Sequence, residues 1–359
     1  MLHNRIFHAI GLMSGSSLDG LDICYVRFQY HDERFTYEII QADCIEYTDA
    51  FRERLRNAPD LSAAEFAKLH TELGNYFGRS TANFIQLHKP EMVDFIASHG
   101  QTIFHQPSSG FTSQIGCGAQ IAAKTNCKVV CDLRTTDVAY GGQGAPIVPM
   151  AEKYLFPEYK IFLNIGGIAN ISFHHDDRVF AYDVCAANTL LNYLAQQKGV
   201  AYDKNGEMAK SGAIVYSLLD ELNRIDFCEQ APPKSLGSEH IYADWIPLFD
   251  KYDDSIEDKL ATAVEHIAEQ VAQPVKSQIL NPKPQILITG GGAFNAFLVE
   301  RIQHHSNITA VVPDALSVQY KEALAMAFIG LLRILEIPNC LASVTGAQKN
   351  VIGGAVYLP

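Results

Sequence analysis

Gly15, Ser16, Ser17, Leu18, Asp19, Gly20, Leu21 and Asp22 crowd glycine, hydroxyl and carboxylate groups into one short stretch. Backbone amides left uncovered by side chains can point at anionic oxygens, so such a loop is shaped for phosphate. Asp19 and Asp22 add carboxylate oxygens near the tip, where a Mg²⁺ bridging phosphates finds ligands. The loop is not a Walker A sequence, because Leu21-Asp22 stand where Lys and Ser/Thr are required. An ordinary hairpin turn has the same composition, and the loop alone does not decide between the two.

A second copy shifts the balance. Ile161-Phe162-Leu163-Asn164-Ile165-Gly166-Gly167 repeats the Ile-Phe-x-x-Ile-Gly of Ile6 to Gly11. A third glycine turn, Gly290-Gly291-Gly292, follows an apolar run and opens a helix. Two similar hairpins and a strand-to-helix triplet suggest two related lobes closing on one nucleotide. Asp183 follows the strand Val179–Tyr182, where it can serve as a general base or cap the next helix. His99 and Gln101 follow the strand Met92–Ala97, at the carboxyl end where α/β sheets hold ligands. His99 and His105 fit structural loop hydrogen bonds equally well. Arg134 and Asp137, after the strand Lys128–Cys131, can fork onto sugar hydroxyls or phosphate oxygens. The pairs His174-His175 and His304-His305 share no face and do not suggest a metal site.

The positioning elements alternate strand and helix. Phe35–Tyr47 continues the first hairpin as a strand. Helices are expected around 48–57 and 62–88; in the second, Phe66, Leu69, Leu73, Tyr76, Phe77 and Ile85 recur at helical spacing until Lys89-Pro90. Gly141–Pro146 has the composition of a lobe boundary and hinge, or of a plain surface turn. Pro232–Gly237 is a rigid loop carrying one cation, and Asp258–Val275 a long amphipathic helix ended by Asn281-Pro282. Glu322 opens the apolar helix Ala323–Leu335.

The 359 residues, 48% hydrophobic and 19% charged, suit a soluble globular protein of one or two domains. A formal charge of −12 and no basic stripe argue against nucleic acid. No apolar segment approaches a membrane span, and Met1–Arg5 leads into the first strand without signal-peptide architecture. The eight scattered cysteines read as reduced thiols, so the expected compartment is the cytoplasm.

Segments across the chain then resemble, in order, the anhydro-N-acetylmuramic acid kinases: Gly11–Asp22, Ser98–Pro107, Asp132–Pro146, Asn164–Asn170, Pro232–Gly237, Gly290–Asn295 and Glu322-Ala323. The resemblance implies an α/β, two-lobed actin-like ATPase (ribonuclease H-like) fold, with mixed sheets flanked by helices and an ATP cleft between the lobes. The lobes would be residues 1–134 with about 343–359, and 135–342. It implies an ATP- and Mg²⁺-dependent kinase that phosphorylates the 6-oxygen of 1,6-anhydro-N-acetylmuramic acid while water opens the anhydro ring, in peptidoglycan recycling. The partner is that amino sugar, with a homodimer suggested. On this reading Asp183 activates the water, and Gly15–Asp22, Gly166, Gly167 and Gly290–Gly292 face ATP, with Asp19 near the metal. His99, Gln101, Arg134, Asp137 and Glu322 fall on the sugar side.

Departures accompany the match. Val184-Cys185-Ala186-Ala187 replaces a usual Thr-Gly-Pro-Gly between Asp183 and Asn188, and Gly116-Cys117-Gly118-Ala119 replaces Gly-Asp-Pro-Ala. They leave two alternatives: a kinase for another sugar, or a catalytically impaired nucleotide-binding regulatory protein.

Overall fold

The computed structural model describes residues 5–15, 18–32, 34–175, 178–232, 234–277 and 284–359. Ser16, Ser17, Pro233 and Asn281-Pro282 therefore lie outside the described residues. The chain divides into two compact units, Met1–Pro157 with Tyr320–Pro359, and Glu158–Gln319. These divisions differ from the expected 134/135 and 342/343, because residues 135–157 and 320–342 pack within the first unit. There the buried pair Lys321 Nζ–Glu152 Oε1 closes at 2.5 Å. Phe328 also meets Phe35 edge-on and Tyr154 at a tilt, with ring centroids 5.1 and 5.8 Å away.

In the first unit, β1 (Arg5–Met13), β2 (Gly20–His31), β3 (Arg34–Glu46), β4 (Phe95–Ser98), β7 (Val129–Cys131) and β13 (Ala355–Tyr357) form one sheet. Its order is β13-β7-β4-β1-β2-β3, and β5 (Gln101–Gln106) and β6 (Phe111–Ile115) form a separate hairpin. β1, β2 and β3 run antiparallel; β4 lies parallel to β1, and β7 parallel to β4. Ala9, Ile10 and Leu12 are wholly buried, as a central strand covered on both faces requires. One cover is the helix Ala63–His88, started by a Ser62–Glu65 capping box and stopped by Lys89 in the left-handed conformation. Its Leu69, Leu73 and Phe77 pack with Ile10, Leu12 and Ile23.

Alternation along β1 turns Gly11 to the opposite face. There a Cβ would stand 1.9 Å from the Ala323 carbonyl oxygen, so strand and helix backbones touch. That helix, Ala315–Ile334, starts earlier than expected and breaks at Tyr320 (φ −112°, ψ 17°), where the units divide. It corrects the expectation that no segment has span length: it is long and apolar enough, but 72% of the stretch is buried inside the protein. Its apolarity is that of a core helix.

In the second unit, β8 (Ile161–Ile165), β9 (Ile168–His175), β10 (Arg178–Ala186), β11 (Ile286–Thr289) and β12 (Ala310–Val311) stand in the order β10-β9-β8-β11-β12. Again three antiparallel strands are followed by two parallel ones. The repeat in sequence is thus a repeat in topology. The helix Ile256–Ser277 covers this sheet, burying Leu260, Val264, Ile267 and Val271 against Leu190, Leu194 and Ile171.

Candidate active site

The β1–β2 turn of the first unit is built around Ser14. Its buried hydroxyl donates to Gln101 Oε1 at 2.5 Å, which leaves the Tyr47 hydroxyl to donate to it at 2.7 Å. Leu18 returns its N–H to the Gly15 carbonyl at 3.1 Å with φ 58°, a backbone rarely held by a bulky residue. Asp19 is exposed, whereas Gly20 and Leu21 lie buried in β2. Leu21 puts its side chain wholly in the core, so only its backbone can face a ligand. Burial raises the carboxyl of half-buried Asp22; the Asp19 charge adds to the rise and a Cys44 thiol hydrogen bond opposes it. Oxygen donors that repel one another suit a hard cation such as Mg²⁺.

His99 and Gln101 follow β4 and are both buried. His99 Nδ1–H donates to the Gly100 carbonyl at 2.9 Å, so Nε2 keeps its lone pair. That Nε2 and Arg134 Nε are buried without a hydrogen-bond partner among the described residues. Burial, and then the positive charge of Arg134, push the imidazole down to about 3, so His99 is a neutral acceptor at physiological pH. Burial also lowers Arg134, against the opposing pull of Cys340 and Glu322. Glu322 is open to solvent yet closely walled by protein. That burial raises its carboxyl; Asp22 pushes the same way, and Lys321 and Arg134 oppose.

Asp137 departs from its expected contact with sugar. It is fully buried; Oδ2 accepts from Gly144 N–H and Oδ1 from the Thr345 hydroxyl, both at 2.8 Å. Both oxygens are spent inside the unit, shaping the Gly142–Gly144 loop. Asp137→Ala strands the buried Gly144 N–H and leaves the Thr345 hydroxyl only the Leu341 carbonyl at 3.3 Å, so a stability loss of about 3 kcal/mol is expected. Calorimetry should register this as a Tm lower by roughly 6–12 °C.

In the second unit β10 does not stop before Asp183 but runs on to Ala186. Asp183 pairs with Asn170 and Cys185 with Ala169, leaving Val184 as a bulge. The helix Asn188–Gln196 begins later, with Ala187 as its N-cap, so Asp183 caps nothing. Its Oδ2 instead accepts from Leu236 N–H at 2.8 Å and Ser235 Oγ–H at 3.0 Å. The glycine turns of this unit meet at Asn188. Its amide donates to the Ile165 carbonyl at 3.1 Å, and its backbone N–H to the Gly166 carbonyl at 3.0 Å. Gly167 accepts from Ala187 and Thr189. Gly290, at φ 80°, passes so close to Asn164 and Ile165 that a Cβ would meet their oxygens within 2.8 Å. Gly291 and Gly292 follow in a short 3-10 turn before the helix Ala296–Ser306.

Comparison with known proteins bears on what these residues serve. The family model described as anhydro-N-acetylmuramic acid kinase matches residues 7–359. The chain belongs to the anhydro-N-acetylmuramic acid kinase family. It is 35% identical to the anhydro-N-acetylmuramic acid kinase of Pasteurella multocida, over 97% of this chain and 96% of that one. It is 33% identical to that of Legionella pneumophila strain Lens, over 97% of both. Among solved structures, component A of the (R)-2-hydroxyglutaryl-CoA dehydratase of Acidaminococcus fermentans is 14% identical over 89% of this chain and 96% of that one, with a TM-score of 0.46.

Within this kinase family the departures take on physical meaning. Cys185, Ala186 and Ala187 are wholly buried and Val184 nearly so, all four in the core of the second unit. Val184, Cys185 and Ala186 carry the strand on past Asp183. Cys117 stands at the N-cap of the helix Gly118–Thr125 and makes no side-chain capping bond. The carboxylate missing there is in capping position. Ser14, Tyr47 and Thr345 were not legible as partners; Ser14 adjoins the glycine loop, but nothing local marks the other two.

Proposed function

We propose that this chain is an ATP-dependent kinase acting on 1,6-anhydro-N-acetylmuramic acid, a step of peptidoglycan recycling in the cytoplasm. Water attacks the anomeric carbon and gives its proton to Asp183 as general base. The bond from that carbon to the 6-oxygen breaks, and its electron pair stays on the oxygen. The 6-oxygen then takes the γ-phosphoryl group, and ADP leaves. Transfer of this kind is mainly positioning and charge stabilisation. The β1–β2 turn and the glycines at 166, 167 and 290–292 would meet the phosphates with backbone N–H groups. Asp19 and Asp22 would hold Mg²⁺, which supplies charge neutralisation at the phosphates. Neutral His99, Gln101, Arg134 and Glu322 would address the sugar.

The reading rests on one observation. The family match spans Asp183, a carboxylate set in a strand bulge with Oδ2 taken by two donors and Oδ1 without a partner among the described residues. Turnover in ¹⁸O-labelled water tests it by mass spectrometry. The product should carry one ¹⁸O at the anomeric hydroxyl and one phosphate for each ADP formed. Sugar-dependent ADP release with no label, or ATP binding with no product, would refute the proposal. A homodimer is expected as well, and sedimentation velocity checks it.

A further inference from the structure

Separate contacts converge on Lys234 in the second unit. Its Nζ donates to the carbonyls of Phe227 at 2.8 Å and Cys228 at 3.3 Å, and stands 4.6 Å from the centre of the Phe227 ring. Both carbonyls belong to the short helix Asp226–Glu229, where that of Phe227 also accepts from the Gln230 N–H at 3.3 Å. Phe227 is itself buried against Trp245, so the anchor is part of the core. Burial lowers the Lys234 ammonium, and a partly desolvated cation holds its carbonyl acceptors more strongly than a hydrated one.

The backbone of the same residue faces Asp183. The Lys234 carbonyl accepts from Asp183 N–H at 3.2 Å, and the next two residues supply the donors on Asp183 Oδ2. Leu236 is buried in the core, but an apolar contact has no direction and leaves the register of the segment loosely set. The Lys234 ammonium, with two carbonyls and a ring at fixed places, sets it.

We propose that Lys234 is a positioning residue for the reaction: tied to Phe227 and Cys228, it fixes the Ser235–Leu236 clamp that aims Asp183 at the attacking water. The inference rests on reading Asp183 as the general base. Lys234 touches no reacting atom and acts only through the clamp. A lysine that merely stabilised the fold would lower the melting temperature without selecting among kinetic parameters.

The test is Lys234→Met in the full chain, with kcat, the KM for ATP and the melting curve measured together. Loss of alignment should lower kcat by about ten- to a hundredfold, since misplacing a base by a fraction of an ångström is enough. The KM for ATP should stay within about twofold, and Lys234→Arg, which keeps the charge and its donors, should recover most of the rate. Should Lys234→Met give no folded protein, Lys234→Gln replaces it, with the same loss expected. A kcat within twofold of wild type, or an Arg variant as slow as the Met variant, overturns the proposal. Asp183→Asn run alongside keeps the two ideas apart. If Asp183→Asn is active, the base assignment fails; if it is inactive while Lys234→Met is fast, only the positioning role fails.

Discussion

Asp183→Asn is expected to lower kcat by about a thousandfold, within the range general-base catalysis contributes. The substitution changes little else. Asparagine is isosteric and keeps an oxygen for the Ser235 hydroxyl and the Leu236 amide, so the residue stays in place at the bulge. What it loses is the ability to take a proton from water. Coupled ADP-release assays measure the rate, and titration calorimetry should give an ATP affinity within about twofold of wild type. Turnover within tenfold of wild type would remove Asp183 from the mechanism.

Gly11→Ala is expected to cost more than about 3 kcal/mol, beyond ordinary overpacking. The added methyl would stand 1.9 Å from the Ala323 carbonyl oxygen and 3.0 Å from the Ala327 nitrogen. These are backbone atoms, so no side chain can swing aside, and strand and helix must separate. Glu322 precedes the contact point, so the same displacement moves its carboxylate. Calorimetry should show a Tm drop of at least about 6 °C. A drop below about 2 °C would mean that the helix shifts at little cost.

Local pattern carried much of the fold. The Ile-Phe-x-x-Ile-Gly repeat anticipated two hairpins, and the structure extends it to two sheets that share a five-strand order, to which the first adds β13 at one edge. Ser62, Glu65 and Lys89-Pro90 bounded their helix because capping is a short-range effect. The polar side chain of Asp183 looked like a strand end, since alternation cannot signal a bulge that lets a strand continue through a carboxylate. Asp137 looked like a ligand-facing group because its partner Thr345 is 208 positions away. The first lobe boundary was placed early and the second late for the same reason. The Lys321–Glu152 pair spans 169 positions, and nothing near either residue announces the other.

The first unit is assembled from both ends of the chain, whereas the second is one uninterrupted stretch. During synthesis the second, which ends at Gln319, can therefore complete its core before the ribosome has released the rest of the helix Ala315–Ile334, from Tyr320 on, and β13. Until then β1 lacks the helix that covers Gly11, and β7 lacks its antiparallel neighbour. β1 thus waits for a helix made about three hundred residues later, and a nascent chain stalled before residue 320 leaves an apolar sheet face open to chaperones.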